Sequence, residues 1–159
     1  AQIRRGQLCL ALRWYKKLTG SQLLALSADG RLLAVGCQDG TVQVWSPGLD
    51  KMLFQTTDST EPATALALNQ RKLFVLRADN QLARFVIKGE LEQLELSAPP
   101  DVVVARQRHQ LLVHSLNENG ATRLQLEAPI VSLTTAGTKV AAVDEFGQVF
   151  VWELRIPTA

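Results

Sequence analysis

Five cations and two aromatic side chains share the N-terminal stretch: Arg4, Arg5, Arg13, Lys16 and Lys17 with Trp14 and Tyr15. Guanidinium and ammonium groups grip phosphates, and an indole or phenol ring stacks on a base. The same mixture also suits an amphipathic segment lying against an acidic protein or an anionic surface. Its plainest reading is a strand with a solvated basic flank and Trp14 turned into the core. A second basic group, Arg106, Arg108 and His109, falls in the short loop between the apolar runs VVVA and LLVHSL. Loops held on a rigid frame commonly carry recognition.

Residues able to perform a reaction are sparse. His109 and His114 have no carboxylate or cysteine at ligand spacing, so no metal site is expected. No GxSxG, HExxH or phosphate-cradling glycine loop occurs. Asp29, Asp39 and Asp79 each precede Gly or Asn, which is turn chemistry rather than acid catalysis. Glu90, Glu92 and Glu95 read as a charged strand edge that discourages pairing with other chains. The expectation is a protein without catalytic residues, metal or cofactor.

Charge narrows the partners. The chain of 159 residues has 17 basic and 15 acidic side chains, a net charge of +2. The charge is uneven: residues 1–28 carry five basic residues and no acid, and the remainder has 12 basic against 15 acidic residues, a net −3. That marks a contact surface without implying nucleic acid by itself. No apolar run approaches the roughly 18–20 residues that a membrane-crossing helix needs. Cys9 and Cys37 lack CxxC spacing and sit in strand-like settings, which suits buried free thiols, with a disulfide as the alternative; the expected compartment is the cytoplasm. The sequence begins at Ala1 with its single methionine at Met52, which reads as a processed product or a piece of a longer chain.

The elements that must position these groups alternate apolar and polar residues with period two, the pattern of strands. Leu32 to Val35 and Thr41 to Trp45 are joined by Asp39-Gly40, a pair that takes the positive φ of a tight turn. LLALSA (Leu23 to Ala28) comes before them and KMLFQTT (Lys51 to Thr57) after. The four-strand order recurs in ATALALN, KLFVLRA, QLARFVI and LEQLELS, between Ala63 and Ser97. Asp79-Asn80 stands forty residues after Asp39-Gly40, and Phe85 forty after Trp45. IVSLTT, KVAAVDE and QVFVWEL give three more strands, with Trp152 five residues past Gly147, the step from Gly40 to Trp45. Between them, Asp101 to Pro129 is short. Arg123 to Glu127 reads either as a fourth-position strand, by its likeness to LELSAPP, or as a third-position strand, if Asn119-Gly120 keeps the forty-residue turn spacing.

A forty-residue period of four short strands is the mark of a propeller blade. The stretch AVGCQDGTVQVW (Ala34 to Trp45) resembles the WD-repeat family, and LSADGRLL (Leu26 to Leu33) resembles that family's first hairpin. The specific match covers about residues 23–45. No Gly-His pair precedes any unit, and Cys37 stands where the family usually has serine. The resemblance implies a binding platform for other proteins or peptides, with Asp39, Gly40, Trp45, Phe85 and Trp152 as turn and core residues.

The fold expected is all-β: a propeller of about four antiparallel blades. It has an N-terminal strand or basic arm over 1–20 and blades over about 21–61, 62–99, 100–129 and 130–157. QLCLALRW (Gln7 to Trp14) supplies a spare strand at the start, and the last unit is one strand short. Pairing the two closes the ring. Leu8, Leu10, Leu12 and Trp14 then share a face, whereas a helix would align Leu8, Leu12, Tyr15 and Leu18. A ring built from two chains, or a portion of a larger propeller, fits the count too. The leading function is a protein-interaction scaffold with Arg4, Arg5, Trp14, Tyr15, Lys16, Lys17, Arg106 and Arg108 as contacts. The alternative is nucleic-acid or anionic-surface binding through the basic N-terminal segment.

Overall fold

Residues 9–56, 59–91, 102–115 and 121–155 are described by a computed structural model. Apart from one 3-10 turn at Pro47–Leu49, every regular element among them is a strand. β1 (Cys9–Lys17) precedes a first blade of β2 (Ser21–Leu26), β3 (Leu33–Cys37), β4 (Val42–Ser46) and β5 (Lys51–Gln55). The second blade holds β6 (Ala63–Asn69), β7 (Lys72–Arg77) and β8 (Leu82–Val86). The third holds β9 (Val102–Gln107), β10 (Gln110–Ser115) and β11 (Ala121–Gln125). The fourth holds β12 (Ile130–Ala136), β13 (Lys139–Asp144) and β14 (Gln148–Arg155).

The strands form four separate antiparallel sheets and no continuous barrel. The last sheet runs β1-β14-β13-β12, so the first strand completes the fourth blade. Its ladder extends from Cys9 opposite Arg155 to Lys17 opposite Gln148. The N-terminal segment is therefore a strand, and it closes the blade as its alternation predicts. The fold is an all-β propeller of four blades.

Its core is divided among the seams between blades. The closing seam, fourth blade on first, buries Leu24, Leu26, Leu33 and Val35 against Ala141, Val143, Val149 and Val151, with Trp14 at the outer strand. The first and second blades bury Ala34, Val42 and Val44 against Leu73, Val75 and Ile87. The third and fourth bury Leu111 and Val113 against Val140, Ala142 and Trp152. A fully buried Val or Leu contributes about 1.5–3 kcal/mol, against about 0.5–1.5 kcal/mol net for a hydrogen bond. Side chains across the seams thus dominate the assembly.

The recurring aromatics all face the preceding blade. Trp45 packs into the closing seam, Phe85 into the first-to-second seam, with its ring 5.0 Å from Phe54, and Trp152 into the third-to-fourth. Among the described residues, buried apolar clusters join the blades at three seams, and none joins the second blade to the third.

In the first, third and fourth blades the turn between the second and third strands abuts the segment leading into the next blade. Gly40 (φ 90°) is so close to that segment that a Cβ would lie 2.4 Å from the Thr60 carbonyl carbon. Gly147 meets Leu18 in the same way, and the Leu18 N–H donates to the Gly147 carbonyl at 2.7 Å. The turn between β9 and β10 makes the equivalent join. The Ile130 N–H donates to the Arg108 carbonyl, and the Leu126 N–H to the His109 carbonyl, both at 2.8 Å. That placement makes β11 a fourth-position strand, the first of the two readings open in the sequence. Asn119-Gly120 lies outside the described residues, as does most of LEQLELS.

One expectation is corrected. Leu10 and Leu12 pair opposite Leu154 and Trp152, but the register shifts between Leu12 and Trp14, which pairs opposite Val151. A one-residue bulge at Arg13 turns Trp14 to the other face of the strand. Trp14 enters the closing seam, while Leu10 packs with the third-to-fourth cluster.

Candidate functional site

The bulge at Arg13 decides what the N-terminal strand can offer a partner. On its inner face, the Trp14 indole N–H donates to Asp50 Oδ1 at 2.8 Å. Lys16 Nζ lies 3.2 Å from the same oxygen and 5.0 Å from the Trp45 ring centroid. The Trp14 and Trp45 rings are 5.4 Å apart. Asp50 ends the 3-10 turn in the left-handed region (φ 50°), which brings its carboxylate up to β1. The Trp14 hydrogen bond, followed by the Lys16 ammonium, holds the Asp50 carboxyl below the usual carboxylate range. These four side chains latch the closing strand to the neighbouring blade.

At the bulge, Arg13 Nε contacts Glu153 Oε2 at 3.0 Å, and Lys139 Nζ contacts the same oxygen at 3.4 Å. Leu12 and Tyr15 are 55% and 44% exposed on the outer strand, and Lys17 is exposed beside them. The Tyr15 hydroxyl donates to Gln148 Oε1 at 2.8 Å, and its ring lies 5.1 Å from Phe150. Phe150 in turn stacks on Trp152 at 5.3 Å. A row of rings therefore runs from the buried seam outward to Tyr15. Phe146, 58% exposed, stands at the turn before β14. Arg4 and Arg5 lie outside the described residues.

Arg106 and Arg108 are placed apart from this group. Arg106 Nη1 donates to the Ile130 carbonyl at 2.7 Å, and Arg108 takes the left-handed turn position (φ 53°). Both secure the third blade to the inner strand of the fourth. Among the described residues, no hydrogen bond, ion pair or ring contact joins them to the N-terminal cluster.

The aspartates serve their turns. Asp39 accepts the Thr41 N–H at 2.9 Å and Asp79 the Gln81 N–H at 3.1 Å. The Thr41 bonds hold the Asp39 carboxyl low. Asp29 accepts from the Ser27 hydroxyl at 2.7 Å and the Arg31 N–H at 3.1 Å, with the Arg31 guanidinium at 2.7 Å. Burial by itself would raise the Asp29 carboxyl, but these bonds outweigh it and hold it low. Burial pushes the Cys37 thiol up, with Asp39 adding to the effect, so a buried, protonated thiol occupies that turn. Among the described residues no three His, Cys, Asp or Glu side chains gather as a metal site.

Two residues at the same turn position escaped the sequence reading. Arg77 stands forty residues after Cys37 and is 2% exposed. Its Nη1 donates to the Gly40 carbonyl at 2.8 Å and the Glu61 carbonyl at 2.7 Å, tying two blades together. Asp144, fully buried, accepts the Phe146 and Gln148 N–H groups at 2.9 and 3.0 Å and the Gln148 amide at 2.8 Å. Their common signal is position: each begins the turn between the second and third strands of a blade.

No family model and no curated protein matches the chain. Solved structures do. The computationally designed Ika4 protein is 18% identical, with a TM-score of 0.40 over 87% of this chain and 93% of that one. The Cps50 (Swd1) β-propeller domain of Myceliophteria thermophila is 17% identical, with a TM-score of 0.36 over 84% of this chain and 50% of its own. The computationally designed Ika8 protein is 18% identical, with a TM-score of 0.38 over 84% of this chain and 45% of that one. At these identities and TM-scores the likenesses assign the chain no relative's role.

Proposed function

We propose that the chain is a protein-interaction scaffold, one that holds a partner without transforming it. The observation that carries this reading is how the side chains are used. Carboxylates and buried arginine close turns and seams, whereas Leu12, Tyr15 and Phe146 stand out from the rigid fourth blade. Exposed apolar and aromatic side chains on a fixed frame suit a protein partner, since aromatic anchors supply much of interface affinity. The finer reading, a WD-repeat-like module of a larger protein or assembly, rests on Ala34 to Trp45 and its turn. A phosphate-gripping role for the N-terminal strand would draw on Lys17, Arg4 and Arg5, because Lys16 and Arg13 already pair with Asp50 and Glu153.

The test is proximity labelling with the chain, followed by reconstitution with each purified candidate. The triple variant Leu12→Ser, Tyr15→Ser, Phe146→Ser should keep the wild-type unfolding midpoint and lose the reconstituted complex. Binding unaltered in that variant removes these three residues as the contact.

A further inference from the structure

Two cavities open at corresponding ends of successive seams, and their charges differ. The cavity at the closing seam, about 350 Å³, is lined by Arg13 and Lys139, and both cations contact the single carboxylate of Glu153. Glu153 cancels one of these two charges and lies in contact with both cations. The cavity between the first and second blades is larger, about 520 Å³, a size usual for ligand sites. Arg31, Arg71 and Lys72 line it with one acid, Asp29, which is bound to Arg31. Arg71 and Lys72 make no ion pair among the described residues.

The site stands on fixed backbone. Arg71 is anchored at both ends of the residue: its carbonyl accepts the Ile87 N–H at 2.7 Å, and its Nη1 donates to the Ile87 carbonyl at 3.2 Å. Ile87 is fully buried, so the guanidinium is held in place while keeping further donors for a ligand. The remaining wall is aliphatic: Val86, 59% exposed, and Leu91. Two cations that make no ion pair among the described residues, beside an apolar wall, match a carboxylate carried next to an aliphatic group.

We infer that this cavity is a recognition pocket for an extended peptide presenting an acidic side chain beside a leucine-like one. The inference rests on the scaffold reading and names the chemistry of the partner at a surface separate from Leu12, Tyr15 and Phe146. A carboxylate suits the guanidinium fork of Arg71, and Lys72 adds a mobile second charge.

The experiment is an amide-resolved NMR titration of the whole chain with the tetrapeptide acetyl-Leu-Glu-Leu-Glu-amide. Shifts should concentrate at residues 29–31, 70–72 and 86–87. The uncharged acetyl-Leu-Gln-Leu-Gln-amide should bind about tenfold more weakly. Lys72→Gln, which leaves the Arg71 bonds to Ile87 intact, should weaken the acidic peptide severalfold, and adding Arg71→Gln should remove it. The result that overturns the pocket is equal binding of the two peptides, shifts centred elsewhere, or no binding. Inorganic phosphate reproducing the same shifts at the same affinity would overturn the peptide assignment as well. The Leu12→Ser, Tyr15→Ser, Phe146→Ser variant should bind the tetrapeptide like the wild type, so failure of this pocket and failure of the scaffold reading are told apart.

Discussion

The closing seam and the seam between the second and third blades are built from the same kinds of strand, yet among the described residues only the closing seam holds a buried apolar cluster. The closing seam buries aliphatic residues from both blades and adds a tryptophan pair, a shared carboxylate and a lysine over a ring. On the open side of the second blade, Leu76 faces Leu82 across the ladder. Leu82 remains 67% exposed. The difference teaches that alternation creates an apolar face but cannot supply its cover. Cover comes from a neighbour reaching across, as β1 does with Trp14 after its bulge.

The sharpest test of that contrast is Trp14→Ala. It removes a buried ring, its hydrogen bond to Asp50 and its contact with Trp45, for a loss of about 3–5 kcal/mol. Urea unfolding should show the midpoint falling with the slope retained. Gly40→Ala comes next. The left-handed φ and the Thr60 backbone at 2.4 Å leave no room for a Cβ. We expect about 1–3 kcal/mol of destabilisation, whereas Gly137→Ala, with nothing nearer than 4.0 Å, should lose less.

Acid should weaken the Asp50 latch of the closing seam, together with the Asp29 and Asp39 turns, whose carboxyls are also held low. The Asp50 pKa is depressed in the folded chain. Its contribution is therefore present above the unfolded aspartate value near 3.9 and is lost as pH falls through the lower folded value. Asp50→Asn should flatten the fall of the thermal midpoint below about pH 4 and shift it only slightly at neutral pH. The smallest effect belongs to the open face. Leu82→Ser should change stability by no more than about 0.5 kcal/mol. A cost comparable to that of Trp14→Ala would show that the open face is covered in solution and end the comparison.

Much of this was legible in the sequence. Ala63 to Asn69 is strand β6 as its alternation reads, and the forty-residue steps to Phe85 and Asp79 locate a seam aromatic and a turn acid. Pairing of the first strand with the last followed from counting. The bulge was not legible, because Arg13 carries no backbone signal and any residue can occupy such a position. Without it Trp14 would share a face with Leu12. Asp50, the partner of Trp14, lies 36 residues away in another blade, and periodicity within a strand says nothing about such partners. Nothing within its own strand marks Arg77, since its acceptors are carbonyls of two other segments.

The ladder between β1 and β14 imposes an order of events on a chain made from one end. Cys9 cannot meet Arg155 until synthesis has passed β14. At about 5–20 residues per second, β1 emerges on the order of ten seconds before its mate. During that interval its sticky face needs shelter, and a docking step between strands so far apart in sequence is slow. Chaperone dependence should accordingly concentrate on β1.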